Sequence, residues 1–270
     1  MDDPVLTLLA VLMLLCLTTA CAVADEPGAE DNAFTAANER EWQEAFFDPC
    51  TEDWTKRWFL DGRVASVRNS QEGMQMTSGP RAFNDAHHMV LWTKDSFEGD
   101  VKIEYEYTRL DFETSFVNIL YIQATGSGQG RFATDITEWS VHRETPAMRM
   151  YFDHMHLYHI SYAAFGNTDS EVTDYIRARR YMPHATGLKG TELTPDYTDT
   201  GLFAPGVPHK ITVIKSDRAL LMRVENAEQT RTFHFKNENL PAITEGRIGL
   251  RQMFARSSRY KNFRVSVPAE

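Results

Sequence analysis

The sequence predicts an all-β domain of the sandwich type, and three observations carry that prediction. From Phe46 to Val267, aromatic and β-branched runs of about five to eight residues are separated by clusters of Gly, Pro, Asn and Asp, the pattern of strands and turns. Val101-Lys-Ile-Glu-Tyr-Glu-Tyr-Thr108 alternates strictly between apolar and polar residues, as a strand with one covered and one solvated face does. Helical periodicity is poor except over Asn38–Phe46, and a set of strands with no intervening helices closes as a sandwich or barrel. No repeat of fixed period is visible, which disfavours a propeller or solenoid.

The elements follow in chain order. Val5–Ala20 is an apolar run of 16 residues interrupted only by Thr7, Thr18 and Thr19. It is short for a membrane span, which needs roughly 20 residues, and no membrane span is expected. With the small-x-small site Ala22-Val23-Ala24 behind it, the run reads as a secretory signal over residues 1–24. Asp2 and Asp3 depart from the positive start such signals carry. Thr18-Thr19-Ala20-Cys21 also half-matches a lipoprotein site, which would place a lipid anchor on Cys21. The chain is expected to be exported, periplasmic or secreted, or held at an outer membrane by that lipid. Residues 25–45 read as a small, acidic, flexible leader up to Asn38 and a short helix over Asn38–Phe46. The domain proper spans 46–268.

Within it, Phe116–Ala124 is apolar nearly throughout and is expected to be a central strand covered on both sides. Further strands are expected at Gly73–Thr77, His88–Thr93, Met148–Asp153, His156–Ala163, Tyr175–Tyr181, His209–Lys215, Leu220–Glu225, Thr230–Lys236, Gly246–Phe254 and Tyr260–Val267.

Removal of 24 residues leaves 246 (270 − 24), within the range of a single sandwich. Cys50 is then the lone cysteine and is expected to be a buried thiol. The formal charge of −10 becomes −8 without Asp2 and Asp3. An acidic total argues against a nucleic-acid partner, since phosphate binding needs a basic footprint. One basic stretch exists: Arg247, Arg251, Arg256, Arg259, Lys261 and Arg264, with no acid between Arg247 and Ala269.

Three phrases carry a resemblance. Trp92…Phe97-Glu-Gly-Asp-Val-Lys-Ile-Glu104, then Gly201-Leu-Phe…His209-Lys-Ile-Thr-Val-Ile214, then Gly246-Arg-Ile-Gly-Leu-Arg251…Tyr260-Lys-Asn-Phe-Arg-Val265 together resemble concanavalin-like jelly rolls. That resemblance implies two antiparallel sheets. More narrowly, through Met148-Arg-Met-Tyr-Phe152 and on to Tyr175-Ile-Arg-Ala-Arg-Arg-Tyr181, the chain resembles the YesU-like family of bacterial domains from Phe46 to Val267. Such domains occur in systems that degrade acidic polysaccharides such as rhamnogalacturonan and ulvan. The resemblance implies work on glycans without supplying a reaction.

Chemistry is densest between Tyr151 and Tyr162. Strand side chains alternate between faces, so His154, His156, Tyr158 and Tyr162 share one side, with Asp153, His159 and Ser161 on the other. Met155, Leu157 and Ile160 are expected to face the core, Ile160 across a bulge. Tyr175, Arg177, Arg179 and Tyr181 share a side, with Arg180 opposite, and Asn84, His87 and His88 form a third group at a sheet rim. His, Tyr and Arg on one sheet suit β-elimination from a uronic acid. A guanidinium or amide neutralises the carboxylate and acidifies the C5 proton, a His or Tyr removes it, and a Tyr or His protonates the leaving oxygen. Histidine's ordinary pKa allows either role near neutrality. The expected catalytic residues are His159, His88, Tyr175 and Tyr181. The expected substrate-binding residues are Arg177, Arg179, Asn118, Tyr121, Trp139 and His87. The expected partner is an acidic oligo- or polysaccharide, and the expected activity that of a lyase or an oligosaccharide dehydratase.

Two alternatives stand beside it. A non-catalytic glycan-binding module would use aromatic platforms, for which Trp92 and Trp139 are available. A hydrolase needs two carboxylates roughly 5–10 Å apart; the Glu-x-Asp-x-x-Glu and Glu-x-Asp-x-Glu patterns are absent, leaving Asp135, Glu138, Glu144 and Asp153. No cofactor or metal is expected. His154, His156 and His159 lack a spaced partner motif for zinc, and Asn167–Asp174 offers oxygen ligands for a structural calcium without the EF-hand spacing. Gly126-Ser-Gly-Gln-Gly130 lacks the Lys-Ser/Thr of a phosphate loop, and no Gly-x-Ser-x-Gly elbow occurs.

Overall fold

The computed structural model describes residues 28–167, 173–183 and 187–269. The expected signal, with Cys16 and Cys21, lies outside the described residues. Among the described residues no helix is long and apolar enough to cross a membrane.

The chain runs α1 (Ala29–Asn38), β1 (Trp42–Asp48), β2 (Trp58–Asp61), β3 (Ser66–Ser70), β4 (Gly73–Thr77), β5 (Met89–Glu98), β6 (Val101–Arg109), β7 (Asn118–Gly126), α2 (Met148–Phe152), β8 (Met155–Ala164), β9 (Tyr175–Tyr181), β10 (Glu192–Thr198), β11 (Pro208–Ser216), β12 (Ala219–Glu225), β13 (Thr230–Lys236), β14 (Glu245–Gln252) and β15 (Ser257–Pro268). Short 3-10 turns lie at Trp54–Lys56, Asp85–His87 and Ile136–Arg143. Two antiparallel sheets result. The first is ordered β13-β12-β11-β6-β15-β4-β3, with β1 also on β15; the second is β10-β9-β8-β7-β14-β5-β2.

The alternation in β6 is realised as expected. Val101, Ile103, Tyr105 and Tyr107 are buried between the sheets, while Glu106 is exposed. On the outer face Lys210 and Lys261 stand opposite Glu106 from the strands on either side, and Arg264 stands opposite Glu104. Most of the basic stretch is thus matched by acids: Arg247 pairs with Asp135, Arg256 with Asp111, Arg259 with Glu72 and Arg264 with Glu44. Lys261 only faces Glu106 across the register, and Arg251 has no acidic partner among the described residues. Between the sheets, Phe46, Trp58 and Phe263 meet edge to face, and Tyr107, Tyr162 and Tyr260 form a buried hydroxyl-bearing cluster. Cys50 is buried beside Asp48, and that burial pushes its thiol up, away from nucleophilic use.

Three local expectations are corrected. The helix is not at Asn38–Phe46: it is the alanine-rich Ala29–Asn38, a stretch with strong helix formers and acids in its first turn. It buries Phe34 against Ile214 and Leu221 on the outer face of the first sheet, so this part of the expected leader is docked. Arg223 lies 4.0 Å over Phe34 and bonds Asp31. Trp42–Asp48 is a strand, because β15 outruns β4 and leaves its far end open for β1. Met148–Phe152 is a helical turn rather than a strand. In β8 the inter-sheet face is Tyr158, Ile160 and Tyr162, while Met155 and Leu157 belong to the opposite face with no bulge needed at Ile160.

That opposite face is also covered. The chain between β7 and β8 folds across the second sheet, burying Ile136, Trp139 and Tyr151 against Val90, Trp92, Tyr121, Leu157 and Tyr181. Trp92 lies flat over Gly249, where a Cβ would come within 2.5 Å of the indole Cζ3. The indole is fixed by its Nε1–H donated to Asp61 at 2.7 Å, so it cannot yield. Gly249→Ala is therefore expected to destabilise by about 1–3 kcal/mol through overpacking, read as a lower denaturant midpoint at unchanged m.

Candidate functional site

Antiparallel register builds the site. Across β8–β9, His159 stands opposite Arg179 and Ser161 opposite Arg177; across β7–β8, Tyr121 stands opposite His159. With a two-residue period, His159, Ser161, Tyr175, Arg177, Arg179 and Tyr181 all leave the sheet on the face turned away from the inter-sheet core. The cover spans part of that face, meeting β9 at Tyr181, and beside it lies a pocket of about 310 Å³. Its polar lining is His159, Ser161, Asn167, Tyr175, Arg177 and Arg179. Met148 and Phe152 of the cover form one apolar wall, and Val117 and Met253 close another side. The described lining contains no carboxylate.

His159 sits at the floor, 4% exposed, its Nδ1 2.6 Å from the Tyr181 hydroxyl and its Nε2 2.6 Å from Ser161 Oγ. Whichever nitrogen carries the proton, Tyr181, His159 and Ser161 form a continuous relay that ends in the pocket. Burial, and then the positive field of Arg179, Arg251 and Arg177, hold the imidazole well below its ordinary pKa, so it is neutral at physiological pH. Burial raises both Tyr175 and Tyr181, Tyr181 strongly, so both act as neutral hydroxyls.

The arginines are held at the rim by acids of β10. Arg177 donates from Nε to Asp196 at 2.7 Å and lies 4.7 Å over the Tyr175 ring. Arg179 donates from Nη1 to Glu192 at 2.7 Å. Asp174, just ahead of β9, accepts from the backbone N–H and hydroxyl of Thr200. The β10 acids are a site element not foreseen from the sequence. Their spacing in Glu192-Leu-Thr-Pro-Asp196 is its only signal, and it needs the β9–β10 pairing to be read.

The other expected residues lie elsewhere. Asn118 faces the inter-sheet core, donating to the Tyr107 hydroxyl. His87 accepts the Arg81 backbone N–H at Nδ1 (3.1 Å) and packs on Gly79, where any Cβ would overlap its ring. Trp139 is buried, donating to Ala133 O at 3.0 Å, with Arg143 4.3 Å from its ring, and offers no platform; Trp92 is likewise buried. Tyr121 is buried against both Trp92 and Tyr151, its ring centroid 5.5 and 5.8 Å from theirs. His88 accepts from Arg251 at Nδ1, and burial and that guanidinium hold it down to about 2.

His88, Arg251, Tyr121 and Tyr151 belong to a closed polar cluster under the cover. Its centre is Asp61, whose Oδ2 accepts from Arg143 Nε (2.6 Å), Trp92 Nε1 (2.7 Å) and the Tyr151 hydroxyl (3.0 Å). Among the described residues no three of His, Cys, Asp and Glu gather closely enough to hold a metal ion. Most of the Asn167–Asp174 loop lies outside the described residues.

Several solved structures share this architecture. The chain is similar to a Bacillus subtilis protein of unknown function with a galectin-like fold, at 17% identity and a TM-score of 0.65, covering 84% of this chain and all of that one. It is similar to the exoplasmic/lumenal domain of VIP36 in its Ca2+/Man3GlcNAc-bound form, at 11% identity, a TM-score of 0.55, and 85% and 92% coverage. It is also similar to lectin II from Ulex europaeus, at 6% identity, a TM-score of 0.53, and 83% and 99% coverage. At these identities the likeness is one of fold, a galectin- and concanavalin-like jelly roll. No curated protein matches the sequence. The profile of one family spans residues 49–265, most of the chain, and this protein therefore belongs to the family described as Domain of unknown function (DUF1961).

Proposed function

We propose that the protein binds the uronic-acid residue of an acidic glycan in the pocket above His159. The observation that carries this reading is the pocket's charge pattern: two arginines and neutral His, Ser, Tyr and Asn groups, with no carboxylate in the described lining. Guanidinium groups match carboxylate geometry, and apolar walls beside polar groups suit a pyranose ring. The sugar-binding neighbours of the fold, and the finer resemblance to the YesU-like family, support the glycan class. Export through the N-terminal signal would bring the pocket to extracellular polymers.

Arg179→Ala is expected to weaken a uronate-bearing tetrasaccharide by about tenfold or more, as loss of a charge-assisted hydrogen bond does, measured by isothermal titration. Arg177, already engaged by Asp196 on two nitrogens, is expected to matter less. Unchanged affinity in an Arg177→Ala/Arg179→Ala double variant sinks the reading.

A second reading adds chemistry, and the Tyr181–His159–Ser161 relay favours it. The arginines neutralise the carboxylate and acidify C5–H, and that proton passes to the neutral His159 directly or through Ser161. The C5–H electrons form the C4=C5 bond as C4–O breaks, and Tyr175 protonates the leaving oxygen. The bound carboxylate would raise His159 toward a useful basicity. New absorbance near 235 nm marks elimination. Mass loss of water without chain cutting marks dehydration, and binding without product leaves a lectin.

A further inference from the structure

The loop that His87 braces carries a side chain that the binding reading leaves unused. Phe83 is 75% exposed, and its backbone holds φ +59. A bulky residue adopts that left-handed conformation at a cost, only where its surroundings enforce it. The enforcement is visible. Gly79 N–H donates to His87 O (2.9 Å), His87 N–H to Asn84 O (2.8 Å), and Asn84 Oδ1 accepts from Ala86 N–H (3.1 Å). The same loop is tied to the end of β14, with Ser78 Oγ donating to Met253 O (2.6 Å) and Ala255 N–H to Gly79 O (2.8 Å).

That anchor is the pocket wall. Val117 and Met253 line the pocket and are joined by the Met253 N–H donated to Val117 O at 3.1 Å. Their chain neighbours Phe116 and Phe254 pack edge to face at 4.4 Å, and Phe83 lies 5.6 and 5.7 Å from those two rings. Contiguous apolar packing therefore links the pocket wall to one exposed aromatic ring on a pinned loop.

We infer that Phe83 is a stacking platform for a neutral sugar residue next to the acidic residue held in the pocket, so that the site reads at least a disaccharide. The inference rests on the acidic-glycan reading above. Aromatic rings present apolar faces to which the C–H face of a pyranose adheres, and a rigid ring loses little entropy on binding. Phe83 thus sets preference for chain over monosaccharide, while Arg177 and Arg179 set preference for acid.

The test compares Phe83→Asn and Phe83→Trp with the parent. Asn removes the ring yet suits the left-handed backbone, so the variant folds. Affinities are measured by isothermal titration for free glucuronate and for a uronate-bearing tetrasaccharide. Phe83→Asn is expected to lose about tenfold for the tetrasaccharide, the scale of an aromatic contact residue, with glucuronate unchanged, and Phe83→Trp to retain tetrasaccharide affinity. Equal tetrasaccharide affinity in the parent and Phe83→Asn overturns the platform and leaves the pocket reading standing. Equal loss for both ligands also overturns it, because the ring would then act on the pocket itself. A parent protein that binds neither ligand overturns both readings.

Discussion

Asp61→Ala is expected to cost about 3–5 kcal/mol of folding stability, the penalty for removing one partner of a buried ion pair. Asp61 and Arg143 are both fully enclosed, and one carboxylate oxygen organises Arg143, Trp92 and Tyr151 at once. Burial pushes the Asp61 carboxyl up, with the adjacent guanidinium and the two neutral donors opposing that rise. Removing the side chain leaves the Arg143 guanidinium without its acid beneath the cover. A double variant, Asp61→Leu with Arg143→Met, is expected to recover much of the loss, since apolar replacement of a whole buried pair is often near neutral. Denaturant unfolding of the two single variants and the double gives the coupling directly. A single-variant loss below about 1 kcal/mol, the range of exposed pairs, would show that the cluster is hydrated.

Acidification is expected to have an effect of similar size. His88 and His159 are both buried and both held far below the ordinary histidine value, the first by burial and Arg251, the second by burial and Arg179, Arg251 and Arg177. In the unfolded chain each takes up a proton near pH 6.5, whereas in the folded state neither does until far lower pH. Their contribution to stability is therefore complete above the unfolded value and is lost as pH falls below it. Each loses about 1.4 kcal/mol per pH unit once well below 6.5. From pH 7 to pH 5 the pair is expected to remove about 3–4 kcal/mol. His209 and His234 are shifted the same way, mainly by burial, and add to it. Unfolding free energies at pH 7, 6 and 5 check this, and His159→Gln should flatten the slope. A flat profile would mean that these imidazoles accept protons in the folded protein.

Local pattern made the sandwich and half of the site legible. β6 alternates residue by residue, so its position and its inward face follow from period two alone. The same period, applied to His156–Ala163 and Tyr175–Tyr181, placed His159 and Ser161 on one side of their strand and Tyr175, Arg177, Arg179 and Tyr181 on one side of theirs. Strand pairing then brought the two sets together. What was illegible depends on contacts that no local pattern encodes. Asp61 and Arg143 are 82 positions apart, and nothing in Trp58-Phe-Leu-Asp61 signals that its acid will be buried. The cover between β7 and β8 has weak periodicity, so Met148–Phe152 read as a strand and Trp139 as a free platform. Once folded across the second sheet, that segment withdraws Trp92, Trp139, Tyr121 and His88 from solvent. Phe83 is the converse: a lone Phe in Gly79-Pro-Arg-Ala-Phe-Asn84 reads as loop, and only the packing shows that its ring stays outside.

The central claim is that the pocket above His159 selects a carboxylate-bearing sugar, and one comparison tests it most directly. The protein is titrated calorimetrically with a uronate-bearing tetrasaccharide and with the same tetrasaccharide after reduction of its carboxyl groups to alcohols. The expected result is binding of the acidic form, with the reduced form about tenfold weaker or more, since a lost charge-assisted pair is worth at least one such factor. Equal affinity for the two forms would contradict it, because the arginines of β9 would then play no part in recognition.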